Sequence, residues 1–267
     1  MTTIAILGLG EAGRRYARGL AHAGADIRAF DPAHDLGDPD VPQFATLADA
    51  VTGADVALSL VTGHAAASVA REALPHIAAG AVYADLNTAA PDLKQRIARL
   101  AADRGLAMAD VAVLAPVVRA GHRTPLLASG PGARAFAERV GRFEVPVEVI
   151  DGDAGEAARL RLLRSVFMKG LAALVLEGLG AARAAGAEEW LRGQMADELG
   201  PDGVALVERL VDGSTVHAVR REHEVRAALA ALESSGQPAD MTRATLAWFE
   251  RLVAERERAL GRALDHD

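Results

Sequence analysis

Hydrophobic and polar positions come in short alternating blocks over the first 150 residues, and the rhythm then changes. The run TIAIL at 3–7 is a short β-branched strand. A glycine-rich turn follows, then an alanine-rich helical stretch to the break at Gly24, and DIRAFD at 26–31 supplies a second strand. That is a βαβ unit of about 30 residues. Further apolar runs predict strands at 54–61, 81–87, 106–113, 125–130 and 146–151, with alanine-rich helical stretches between several of them. Strand and helix alternate throughout, which predicts an α/β fold with a doubly wound Rossmann sheet. From Glu156 onward the strand signals stop. Breaks at Gly186, Gly200-Pro201, Gly213-Ser214 and Gly236-Gln237-Pro238 divide the remainder into about five helices.

The first of these helices is predicted from 156 to 184, roughly 40 Å at about 1.5 Å per residue. Between Ser165 and Arg183 its only charged residues are Lys169 and Glu177. A helix apolar nearly all round must be covered on most sides, within its domain or by another subunit, and a homodimer through the C-terminal helices is the economical reading. The predicted organisation is a Rossmann dinucleotide-binding domain over 1–153 and an all-α substrate and dimerisation domain over 154–267. No linker rich in proline or serine intervenes, so the halves are expected to share a cleft with the long helix as one wall.

Composition narrows the function. The chain has 267 residues, 51% of them hydrophobic, ample for packed cores. No uncharged apolar run reaches about 18 residues, and the opening MTTIAILG has no basic segment ahead of its apolar run. The expectation is a cytoplasmic protein with no membrane segment. Absence of cysteine excludes disulfides, thiolate nucleophiles and cysteine-type zinc sites. A net charge of −7 without a basic tract argues against nucleic acid and for a small-molecule ligand.

The first turn reads Gly8-Leu9-Gly10-Glu11-Ala12-Gly13, a G-x-G-x-x-G in its βαβ setting. Gly8 permits the tight turn, Gly10 lets a pyrophosphate approach the backbone, and Gly13 lets helix and strand pack closely, while the helix N-terminus offers free N–H groups. Asp31 lies 18 residues after Gly13 at the end of the second strand, where a carboxylate accepts from a ribose 2′-OH and repels a 2′-phosphate. NAD is the expected cofactor. Arg28 and His34 lie close enough to keep NADP possible. Ligands of such sheets collect beyond the strand carboxyl ends, which nominates Val61, Thr62, Asn87 and Thr88.

Arg161, Ser165 and Lys169 recur every four residues along the long helix, forming a slowly drifting stripe. A lysine in apolar surroundings can serve as a general acid, whereas a guanidinium anchors anions but gives up its proton poorly. Arg119, His122 and Arg123, in VVRAGHRTP, can grip a carboxylate or phosphate, and His217 can reach a substrate from a partner subunit. No metal site is expected: an H-E-x-x-H starting at His223 would need a histidine where Ala227 stands,.

The segments ILGLGEAG, DLNTAAP (85–91), DVAVLAPV (110–117), RTPLLASG (123–130), GDAGEAARLRLLRSVFMKGLAAL (152–174), HAVRREHEV (217–225) and PADMTRA (238–244) span nearly the whole chain. In them it resembles the β-hydroxyacid dehydrogenase superfamily, which includes 6-phosphogluconate and 3-hydroxyisobutyrate dehydrogenases. The branch it is most similar to is the 6-phosphogluconate-dehydrogenase-like proteins with a short C-terminal domain of unknown function. The resemblance implies an NAD(P)-dependent dehydrogenase or reductase that moves a hydride between nicotinamide and a small polar hydroxy or oxo acid. It also implies a catalytic lysine on the first helix after the glycine turn and an asparagine four residues later. Arg161 and Ser165 stand at those positions, and Leu114 stands where the family's substrate loop has serine. Three readings therefore stay open: Lys169 as proton donor, Arg161 as substrate anchor with another donor, or imine chemistry on the same fold. A cofactor-binding module without catalysis is the rival from another class.

Overall fold

The computed structural model describes residues 2–264, with side chains as far as residue 258. In chain order the elements are β1 (Thr3–Leu7), α1 (Glu11–His22), β2 (Asp26–Phe30), α2 (Leu47–Val51), β3 (Val56–Ser59), α3 (Ala66–Ala73), β4 (Val82–Asp85), α4 (Pro91–Ala102), β5 (Ala107–Val113), β6 (Leu126–Ser129), α5 (Ala133–Gly141) and β7 (Val147–Val149). Then come α6 (Glu156–Ala184), α7 (Glu188–Glu198), α8 (Gly203–Val216), α9 (Ala218–Ser234) and α10 (Asp240–Leu264). Every strand falls inside a run that the apolar pattern marks. The long helix spans the predicted residues.

The sheet order is β2-β1-β3-β4-β5-β6-β7, an N-terminal Rossmann-like sheet followed by a helical region. The pairs from β2 through β5 are parallel, but β6 runs antiparallel to β5, and β7 is parallel to β6. Alternation alone does not foretell this reversal. Its cause lies in residues 114–125, which form two 3-10 turns (Val117–Arg119 and Gly121–Arg123) in place of a helix. A parallel return needs a crossover that such a segment does not provide.

Strand residues feed alternate faces, as the period of two requires. Ile4, Ile6, Val56 and Leu58 pack with Tyr16 and Leu20 of α1 and Phe136 and Val140 of α5. Ala5, Leu7, Ala57, Tyr83 and Met108 pack on the other face with Leu47, Ala70 and Ile97. Register also sets Ser59, Asp85, Asp110 and Ser129 side by side across β3, β4, β5 and β6. This polar row sits in otherwise apolar strands.

The chain divides into two compact units, Met1–Arg161 and Leu162–Asp267. The sequence places the boundary just ahead of α6, whereas the division falls within that helix. Ala157 and Leu160, in its first turns, pack with Ala112 and Leu127 of the sheet. In the second unit, Ala172, Val175 and Leu179 of α6 pack with Val207, Leu210, Val225 and Phe249. Among the described residues, α6 alone is long and apolar enough to cross a membrane by length and composition, and 28% of that window is buried. Its side chains Leu163, Phe167 and Leu174 are 45%, 67% and 57% exposed.

Candidate functional site

The turn between β1 and α1 is shaped by what its glycines exclude. Gly8 has φ +101°, and a Cβ there would lie 2.6 Å from the Leu60 carbonyl oxygen and 2.8 Å from Val61 Cγ1. At Gly13 a Cβ would sit 1.8 Å from the Gly8 carbonyl oxygen, so the helix meets the strand more closely than any side chain permits. Gly10 differs. A Cβ built there meets nothing within 4 Å, although Gly10 is the N-cap of α1 and no side chain caps that helix. Open space in front of uncapped N–H groups is where an anionic pyrophosphate is stabilised, so the residues fit a dinucleotide. Glu11 points to water and pairs with Arg15 at 3.8 Å, and Leu9 is buried.

Asp31, just past β2, is tied to the same turn. Its Oδ2 accepts from Leu9 N at 2.7 Å, and its Oδ1 accepts from Ala33 N at 2.8 Å and His34 N at 3.0 Å. The His34 ring contacts Oδ1 at 3.2 Å. Burial raises the Asp31 carboxyl, but the bonds from Leu9, Ala33 and His34 outweigh it, and the net shift is downward. A depressed carboxyl contributes stability that is complete above its unfolded value of about 3.9 and is lost as pH falls through its folded value. Accordingly, the stability advantage of the native chain over Asp31→Asn is expected to shrink as pH drops below about 4, measured by urea unfolding across that range. Arg28, by contrast, turns to α2. It bonds the Ala50 and Asp49 carbonyls at 3.1 and 2.6 Å and lies over Phe44.

The loops after β3 and β4 close on one another. A Cβ at Gly63 would lie 2.4 Å from the Thr88 carbonyl oxygen, so the Thr62 and Thr88 segments are adjacent, and Val61 borders Gly8. Thr62 Oγ1 accepts from Ala65 N at 3.4 Å, near the start of α3. Asn87 is nearly buried: its amide donates to Ser59 Oγ at 2.9 Å and its backbone N–H to Asp85 Oδ1 at 2.9 Å, while its Oδ1 has no partner.

Beneath these loops lies a charged cluster that motif reading passes over. Lys94 of α4, 1% exposed, donates to the Asp85 carbonyl at 2.7 Å and to Asp85 Oδ1 at 2.9 Å, and pairs with Asp110 Oδ1 at 3.1 Å. Both carboxylates are fully buried. The second oxygen of Asp110 accepts from Gly155 N at 2.9 Å and Ala158 N at 3.0 Å, and Ser129 Oγ accepts from Ala157 N at 3.0 Å. Two acids therefore face one ammonium and the N-terminus of α6, whose partial positive charge offsets the surplus anion. The available signal was Lys94 itself, which shares the buried face of α4 with Ile97 and Ala101.

Of the remaining predicted residues, Arg119 is exposed in the first 3-10 turn. The His122 ring lies over α1, where a Cβ on Gly19 would come within 2.2 Å of its Nδ1. Burial is the largest cause of the lowered His122 value, followed by Arg123. Arg123 pairs with Glu144. In the helical unit, Lys169 Nζ meets Glu224 Oε2 of α9 at 2.8 Å, and both side chains are largely buried. Ser165 is buried, Arg161 is partly buried, and His217 is exposed at the junction of α8 and α9. Nearby, Arg221 donates to Ser214 Oγ at 2.5 Å. Among the described residues, no three potential metal ligands come together.

A family model described as the NAD binding domain of 6-phosphogluconate dehydrogenase matches residues 3–140, and a domain of unknown function (DUF1932) matches residues 182–252. The NAD-dependent L-serine dehydrogenase of Pseudomonas aeruginosa is 32% identical over 67% of this chain and 65% of its own length, so the match spans just under two thirds of that relative. A conserved hypothetical protein from Sinorhizobium meliloti 1021 has a TM-score of 0.74 at 32% identity, covering 94% of this chain and 88% of that one. The 3-hydroxyisobutyrate dehydrogenase of Mycobacterium tuberculosis, in a structure with L-serine, has a TM-score of 0.80 at 18% identity over 95% of this chain and 94% of that one. At that identity the likeness is one of fold.

Proposed function

The chain belongs to the family defined by the NAD binding domain of 6-phosphogluconate dehydrogenase, and on that premise we propose that it is an NAD(P)-dependent oxidoreductase acting on a small anionic 3-hydroxy or oxo acid. The observation that carries the reading is the β1–α1 turn. Gly8 and Gly13 hold it tight, Gly10 leaves room for a pyrophosphate, and Asp31 is fixed beside it. L-serine, the substrate in the name of one relative, is the first compound to try.

When bound, the nicotinamide gives or takes the hydride, and the chain must supply a proton and an anion anchor. Lys169 is the proposed proton source, because an ammonium held by Glu224 at 2.8 Å carries its proton at a fixed position. Arg161 is the proposed anchor for the acid group, since its guanidinium holds an anion but is a poor acid. We assign Leu163, Phe167 and Leu174 of α6 to the seat of a second copy. Contiguous exposed apolar side chains mark such surfaces, and sedimentation of the purified chain reads the outcome.

The experiment is a turnover screen following nicotinamide absorbance with L-serine, other small 3-hydroxy acids and imines. Oxidation of a hydroxy acid is expected, with Lys169→Met lowering kcat more than it raises KM and Arg161→Met doing the reverse. Full rates in both variants overturn the residue assignment. Turnover of imines alone overturns the hydroxy-acid reading, and absence of turnover with every acid and every imine overturns the oxidoreductase reading.

A further inference from the structure

Asp31 already holds more than its shape suggests. An ionised carboxylate offers about four lone-pair positions, two on each oxygen. Oδ1 serves three donors: Ala33 N at 2.8 Å, His34 N at 3.0 Å and the His34 ring at 3.2 Å. Oδ2 serves Leu9 N at 2.7 Å and has one position left. Oδ1 thus carries one donor more than its two lone pairs, and a ribose hydroxyl that reaches it can only take the place of a donor already there,.

One donor must therefore leave, and the geometry singles it out. The three backbone N–H groups are fixed by the glycine turn and by the tight turn at 31–34. The His34 ring makes the longest of the four contacts and its side chain is 53% exposed. It can swing away with little loss of packing.

We infer that the His34 ring competes with the adenosine ribose for Asp31, so that its protonation state sets the preference between NAD and NADP. An imidazolium donates from both nitrogens and pairs electrostatically with Asp31. A neutral ring either donates weakly or presents a lone pair to the carboxylate. Protonation thus strengthens the competitor and weakens NAD binding. The same imidazolium, displaced outward, is a cation for a 2′-phosphate, which Asp31 alone would repel. Neighbouring charged groups are Arg14 of α1, whose Nε donates to the Leu9 carbonyl at 2.8 Å, Asp35, and the Arg18–Asp38 pair, while Gln43 holds the His34 carbonyl at 2.8 Å. His34→Gln leaves all of these in place and removes only the titrating ring.

This inference rests on dinucleotide occupancy of the turn and is independent of the reaction catalysed. The test is calorimetric titration of the full chain and of His34→Gln with NAD and with NADP, at about pH 5.5 and about pH 8, on either side of the range in which imidazole side chains change charge. In the native chain, NAD binding should weaken about five-fold at the acid pH, the scale of an exposed ion pair, and the preference for NAD over NADP should fall about ten-fold. The 2′-phosphate has its own second ionisation near about pH 6, but that contribution is common to both proteins. In His34→Gln, NAD affinity should be nearly level with pH. Equal pH profiles in the two proteins overturn the role of His34. Failure of both proteins to bind either coenzyme at either pH overturns the dinucleotide reading beneath it.

Discussion

Replacing Lys94 with methionine is expected to remove about 3–5 kcal/mol of stability, the cost of leaving buried charges without their partner. Asp85 and Asp110 are fully buried, and Lys94 is the cation placed between them at 2.9 and 3.1 Å. Methionine fills much of the same volume, so the loss is electrostatic and not a cavity effect. Against a typical stability of about 5–15 kcal/mol, this is enough to leave a large part of the chain unfolded in mild denaturant. Urea unfolding followed by far-ultraviolet circular dichroism measures it. Adding Asp85→Asn to Lys94→Met should recover part of the loss, because a neutral amide no longer needs the ammonium. A loss below about 1 kcal/mol in the single variant, the scale of an exposed pair, would show that water reaches the cluster and that its charges are not truly buried.

The two glycines of the β1–α1 turn should fail in different ways. Gly13→Ala places a Cβ 1.8 Å from the Gly8 carbonyl oxygen, so α1 or β1 must shift. Overpacking of this kind costs about 1–3 kcal/mol or more, and the shift disrupts the donors that face a pyrophosphate. Gly10→Ala meets nothing within 4 Å, so the folded chain accepts it, while the methyl group occupies space a bound dinucleotide would need. The expected pattern is a lowered Tm and lost NAD binding for Gly13→Ala, and an unchanged Tm with NAD affinity reduced at least about ten-fold for Gly10→Ala. Thermal unfolding and NAD titration of the same samples test both. A Gly10→Ala variant that binds NAD normally would move the pyrophosphate away from this turn.

The strands and the extent of α6 were legible because both rest on local periodicity. Short β-branched runs and an uninterrupted apolar helix announce themselves in neighbouring residues. Gly8, Gly13 and Asp31 were legible for a related reason, since their spacing encodes one turn. Lys94 was not. Its partners lie 9 residues before it and 16 after, and only the pairing of β4 with β5 brings them together. The sequence did contain one clue, a lysine on the apolar face of an amphipathic helix. Gly19 was a second unread clue: a glycine within a helix costs about 1 kcal/mol relative to alanine, and here it admits the His122 ring. The segment around Arg119 and Arg123 reads as a basic loop, yet it lies along α1 as two 3-10 turns, and the absence of a helical pattern there is also what reverses β6. Lys169 stands out in the sequence for its rarity, but its Glu224 partner on α9 becomes apparent only in the fold.

The way α6 begins has a consequence for the order in which the chain matures. Two of its first N–H groups, and that of Gly155 just before it, are met by Asp110 and Ser129, side chains that leave the ribosome before residues 155–158 do. Domains generally acquire structure from the N-terminus during synthesis. The sheet edge can thus be assembled and waiting when the long helix emerges, giving that helix a template for its first turn while the rest of it is still being made.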